Sequence, residues 1–180
     1  MFQNAKAQTL ATGDIAFIGF NIGGPDGFSF IALKNIPAGE IIYFTEEGLY
    51  SGGWVNSFEP HIKWTVPPGV TCGKIISVIE SATPNVFTVT GGSASDFVIN
   101  PEGTAYNFNL SAGDQMLAYQ SANNSMRPAI SPSTITFIAG IHGDYNSLNY
   151  DSTTHWNSAR CNIYWRWCRK YNTTRIDGWR

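Results

Sequence analysis

Residues 13–50, GDIAFIGFNIGGPDGFSFIALKNIPAGEIIYFTEEGLY, decide the fold class. Three runs rich in Ile, Phe and Tyr, at Asp14–Phe20, Phe28–Leu33 and Ile41–Thr45, are separated by Gly, Pro, Asn and Asp. β-Branched and aromatic side chains suit a pleated, half-buried surface, and these separators reverse the chain, so the segment reads as three strands in succession. The pattern continues at His61–Thr65, Lys74–Ile79, Val86–Thr90, Ala105–Leu110, Gln115–Tyr119 and Thr134–Ile138. No window of roughly 11 residues keeps a helical period; a short helix over 147–157 is the one candidate, and no residue caps it. Short strands with frequent turns predict an all-β, antiparallel β-sandwich, with a closed barrel as the alternative.

The turns share a grammar. IPAGEIIYF, VPPGVTCGKIISV and LSAGDQMLAY each set an apolar residue, a small residue or Pro, and a Gly ahead of a strand, and TGDIAFIGF opens the first strand in the same way. Pro presets φ and Gly accepts positive φ, so each is a strand-starting turn. Composition agrees. The chain has 180 residues, enough for one domain with a real core. Its 13% of charged residues falls well below the usual 25% or so, while 14% aromatics argue against disorder. No apolar run approaches the ~18 residues of a membrane-spanning helix.

With those elements in place, the block GDIAFIGFNIGGPDGFSFIALKNIPAGEIIYFTEEGLYSGGW, together with IKWTVPPG and LSAGDQMLAYQ, resembles a β-sandwich module of secreted bacterial surface proteins of the Bacteroidetes type. The resemblance runs over about residues 13–156. It implies an Ig-like or lamin-tail-like sandwich and an extracytoplasmic, secreted or cell-surface location, and it brings no catalytic residues with it. Glu46-Glu47 stands where that pattern commonly has Asp.

Both ends differ from the body. Ala5-Lys6-Ala7 is an A-x-A cleavage pattern without the apolar and basic regions of a full leader, so residues 1–7 read as the remnant of a signal peptide and 8–159 as the sandwich domain. Residues 1–159 carry five basic against twelve acidic side chains, whereas 160–180 carry six against Asp177 alone. This basic, aromatic tail reads as a last strand burying Trp165 and Trp167, as an association arm, or as a segment outside the family pattern; no nucleic acid is expected as a partner. Cys161 and Cys168 need a turn between them to form a disulfide, since a straight strand or helix holds them too far apart; Cys72 is the other possible partner.

Catalytic signatures are missing: the chain has no G-x-S-x-G, P-loop, dinucleotide fingerprint or H-E-x-x-H. His61, His142 and His155 are far apart in sequence and read as surface or loop residues. Glu46 and Glu47 cannot act as an acid–base pair on one strand face, because adjacent side chains point to opposite sides. Calcium is the candidate cofactor, with a solvated acidic loop and no cofactor as the alternative. Asp26, Glu46, Glu47, Asp144, Asn146 and Asp151 offer loop oxygens of the kind Ca²⁺ takes, although Asp144-x-Asn146 fails as an EF-hand because Leu148 replaces a ligand and no Glu closes the loop. The ligand surface is expected on the 48–61 loop, where Tyr50 and Trp54 supply rings for sugar faces and Asn56, Glu59 and His61 supply hydrogen bonds. The alternative is that Trp54 folds back as a cap. The expected function is a non-catalytic binding or adhesion module for a glycan or cell-surface partner, assisted by calcium. The alternatives are a calcium-dependent hydrolase of an ester, lactone or glycoside, and a structural or assembly domain of a larger surface protein in which residues 160–180 drive oligomerisation.

Overall fold

The structure, a computed structural model, describes residues 9–22, 24–50, 53–54, 59–99, 107–111, 114–131 and 133–142, with the side chains of Leu49, Tyr50 and His142 outside that description. The expected leader remnant, the 147–157 helix and the 160–180 tail lie outside it too. Among the described residues the chain forms β1 (Ile15–Asn21), β2 (Gly27–Ala32), β3 (Ile41–Thr45), β4 (Leu49–Tyr50), β5 (Gly53–Trp54), β6 (His61–Thr65), β7 (Ile75–Glu80), β8 (Phe87–Thr90), β9 (Phe97–Ile99), β10 (Gln115–Ser121) and β11 (Ile135–His142). They make a four-stranded sheet, β1-β2-β7-β8, a five-stranded sheet, β11-β10-β3-β6-β9, and the small β4-β5 ladder, every pair antiparallel. The two large sheets do not close into a barrel. The fold is an antiparallel β-sandwich.

Aromatic rings fill the space between the sheets. Phe28 and Phe30 of β2 meet Phe44 of β3 at centroid distances of 4.9 and 5.0 Å, and Phe30 meets Trp64 of β6 edge-on at 5.1 Å. Trp64 in turn stacks on Phe97 at 5.7 Å. Such pairs add roughly 0.5–1.5 kcal/mol each beyond the burial of their area. That gain offsets the Trp64 indole N–H, which is buried without a partner.

The five-stranded sheet is covered on its outer face as well. Tyr43 and Tyr119, register partners on β3 and β10, stack there at 5.2 Å and pack with Met126, Ile135, Trp54 and Ile130 in a second apolar cluster. Two-sided burial explains why β3 reads Ile-Ile-Tyr-Phe-Thr rather than as a clean alternation of polar and apolar residues.

Two expectations need correcting. Residues 107–110 form no strand, because their amides bond to side chains instead of a neighbouring strand: Phe108 N donates to Asn85 Oδ1, Asn109 N to Glu46 Oε1 and Leu110 N to Asp26 Oδ2. The strands expected from sequence pass from Val86–Thr90 to Ala105–Leu110, whereas a 3₁₀ turn at Ala94–Asp96 leads into β9, which pairs with β6.

The strand-starting turns do use left-handed glycines, among them Gly39 at φ 80° and Gly69 at φ 84°. Gly91, at φ 81°, adds a steric demand, since a Cβ there would lie 2.1 Å from the Ile75 carbonyl oxygen. At Gly69 the same atom would meet nothing within 4 Å. Gly69→Ala should therefore cost only the left-handed backbone term of about 1–2 kcal/mol. Gly91→Ala should cost clearly more, read as the larger fall in urea midpoint; equal falls would mean that the contact does not govern.

Candidate functional site

Past the end of β3 the chain reads Thr45-Glu46-Glu47, and the extended alternation sends the two glutamates to different neighbourhoods. Thr45 fixes the exit: its hydroxyl donates to Pro60 O at 2.8 Å and accepts from Glu47 N at 3.0 Å. Both glutamates are buried, at 1% and 0% exposure. Burying two carboxyls side by side in sequence requires separate solutions.

Glu47 is solved by cations and donors. Arg127 Nε donates to its Oε2 at 2.6 Å and the Arg127 terminal nitrogen to its Oε1 at 2.7 Å, a two-point clasp. His61 Nε2 lies 2.8 Å from the same Oε2, and His61 Nδ1 lies 2.8 Å from the Tyr119 hydroxyl, which accepts from Arg127 N at 3.2 Å. The donors fit one direction of travel. Nε2–H donates to Glu47, and in the tautomer with Nδ1 unprotonated that nitrogen accepts from Tyr119 O–H, assigned from the network. A histidine between a carboxylate and a hydroxyl has the parts of a proton relay. Yet His61 and Tyr119 are fully buried, and Trp54 lies over both rings at 4.9 and 5.3 Å. The ring of bonds pins segment 121–131 onto the outer sheet face.

Glu46 has no such cation. Its Oε1 accepts from Asn109 N at 3.3 Å, while Oε2 is sealed from solvent with no N–H or hydroxyl of the described residues on it. The group beside it is another carboxyl, that of half-buried Glu59, and Asp114 adds a further negative charge. Burial first, then Glu59 and Asp114, push the Glu46 carboxyl from 4.5 up to about 9. Burial and Asp114 also raise Glu59.

Beside this pair an open groove of about 1180 Å³ runs along the end of the sandwich. Ile22, Pro25, Ile79 and Leu110 give it apolar walls, and Glu80 and Asn109 polar ones. Asn109 belongs to both features, since its amide is on Glu46 and its residue lines the groove.

The residues expected to bind a ligand or metal are therefore dispersed. Asp26 is buried and spent on the amides of Gly24 and Leu110, at 3.0 and 2.9 Å. Asp26, Glu46 and Glu47 do not assemble into one calcium site, because each answers different partners, and no three His, Cys, Asp or Glu side chains among the described residues form a group able to hold a metal ion. His61 is a sealed strand residue, not a surface or loop one. Trp54, half-buried, packs on His61, Tyr119 and Phe137 and donates its indole N–H to Pro128 O at 3.0 Å. Glu59 stands in the carboxyl pair. The Tyr50 side chain, Asn56, Asp144, Asn146 and Asp151 lie outside the described residues.

Sequence reading missed Arg127, Asn109 and Asp114. Asp114 was visible only as part of the turn before β10, and the pairing of β10 with β3 is what brings it to Glu46. Comparison with known proteins returns no matching family model, no similar curated protein and no similar solved structure.

The adjacent glutamates should respond in opposite directions. Glu47→Ala strands Arg127 and His61 and should lower stability by about 3–5 kcal/mol in urea melts. A folded-state carboxyl raised above its unfolded value contributes stability present below about pH 4.5, and that stability is lost as pH rises toward about 9. Glu46→Gln keeps the shape without the charge, so its advantage over the native chain should be absent in acid and grow steadily up to pH 9. A flat difference across that range would remove the buried-proton account.

Proposed function

We propose that the chain is a non-catalytic binding module, exported from the cytoplasm, that takes a glycan of a cell-surface partner in the groove at the end of the sandwich. The groove itself carries the reading. Ile22, Pro25 and Ile79 offer the apolar contact that sugar C–H faces seek, and Asn109, Glu80 and Thr88 offer directional bonds to hydroxyls. The ligand is placed here rather than on the Trp54 hairpin because the Trp54 ring and N–H are already spent within the protein. A hydrolytic role gains no support from the glutamates, since Glu46 is sealed and Glu47 is clasped by Arg127. Export rests on the Ala5-Lys6-Ala7 pattern and on the resemblance to secreted surface modules.

Ser81→Trp and Thr88→Trp place a ring in the groove from side chains that are not in the core. On a glycan array, binding should weaken at least about tenfold, equivalent to 1.4 kcal/mol, while Trp54→Phe keeps the same glycan pattern. A blank array for the native protein, or groove variants that bind unchanged, would overturn the reading.

A further inference from the structure

We propose that the Glu46–Glu59 carboxyl pair is a calcium site, with Asp114 as a third negative charge beside it. Buried carboxylates are ordinarily satisfied by several donors or by a cation. Glu46 is 1% exposed, its Oε2 has no donor among the described residues, and its Oε1 has one amide at 3.3 Å, long for a bond to a charged acceptor. Its side-chain neighbour is the Glu59 carboxyl, which adds negative charge rather than relieving it. Arg127, the cation of this region, clasps Glu47 on the other side of the chain, and His61 is on Glu47 as well.

Two converging carboxyls with an unserved buried oxygen suit a hard divalent ion. Ca²⁺ takes oxygens only, accepts one- or two-point carboxylates, and fills its remaining positions with carbonyls and water. Glu59 is half-buried, so the pair has a solvent side through which an ion and its waters can arrive. Ca²⁺ takes both groups as carboxylates, so a proton that burial keeps on Glu46 leaves to solvent as the ion binds. With two carboxylate ligands instead of the three or more of a tight cage, affinity falls in the weak class of roughly 10⁻⁴–10⁻³ M typical of extracellular modules.

This set differs from the one expected from sequence. Asp26 is satisfied by two amides and Glu47 by Arg127 and His61, and neither takes part. The site stands on the carboxyl pair and does not depend on the groove's ligand.

The test uses the full chain at one neutral pH, titrated calorimetrically with CaCl₂ and then MgCl₂, with thermal melts alongside. Calcium should give a saturable heat and, at about ten times Kd, raise Tm by roughly 3–5 °C. Magnesium should do less, because it demands near-octahedral geometry and gives up water reluctantly. Glu46→Gln and Glu59→Gln should each abolish the heat and the shift while folding normally, and Asp96→Asn, in the exposed 3₁₀ turn, should leave both intact. A native chain with no calcium heat and no Tm change overturns the proposal, as do Glu46→Gln and Glu59→Gln proteins that bind like the native one. The readout is the metal alone, so this outcome is separate from that of the glycan array.

Discussion

Strand β3 is buried on both faces, and the rest of the structure answers that constraint. Its inner side chains, Ile42 and Phe44, sit in the sandwich core, and its outer one, Tyr43, lies under the second apolar layer. A central strand of this kind cannot alternate polar with apolar residues, so each flank must supply a cover. The four-stranded sheet covers one side. Segment 121–131 and the β4-β5 ladder cover the other, through Met126, Ile130 and Trp54. The same alternation runs on past Thr45 and delivers Glu46 and Glu47 to two different polar networks.

Those networks show two ways of burying a carboxyl. Around Glu47 every polar atom finds a partner, and the result is a closed ring of bonds that holds a loop without any strand pairing. Around Glu46 no cation or donor among the described residues serves Oε2, and burial instead raises the carboxyl's pKa. Asp26 is a third case: by accepting the Leu110 amide it stands in for a strand neighbour. Side-chain acceptors thus let residues 107–110 bury Phe108 and Leu110 without joining a sheet.

Much of the architecture was legible. β3 and β6 lie where the apolar runs and their bounding turns put them, and most other strands differ by one or two residues. The legible signals were local, a β-rich run and a turn with a left-handed Gly. β9 escaped because three residues are too few to show a period, and β11 extends beyond Ile138 because its partner β10, not its own composition, defines its length. The candidate site was less readable for the same reason. Glu46 and Glu47 could be picked out as oxygens at a strand end, but Asn109 is 63 positions from Glu46 and Arg127 is 80 from Glu47. No spacing rule reaches that far. His61 was misjudged because a histidine's partners, not its neighbours in sequence, decide whether it can be sealed.

The long-range clasps also bear on the order in which the chain folds. The β1-β2 and β7-β8 hairpins close short chain segments, whereas Asp26 to Leu110 spans 84 positions and the Gln120 side chain reaches back 110 to accept the Leu10 amide. Closing such loops costs entropy before any contact repays it. Hairpins that already present a finished apolar face can dock first, and the polar fastenings at the ends of the sandwich then lock a packing already in place. The Asp26–Leu110 bond beside the groove is one of these fastenings.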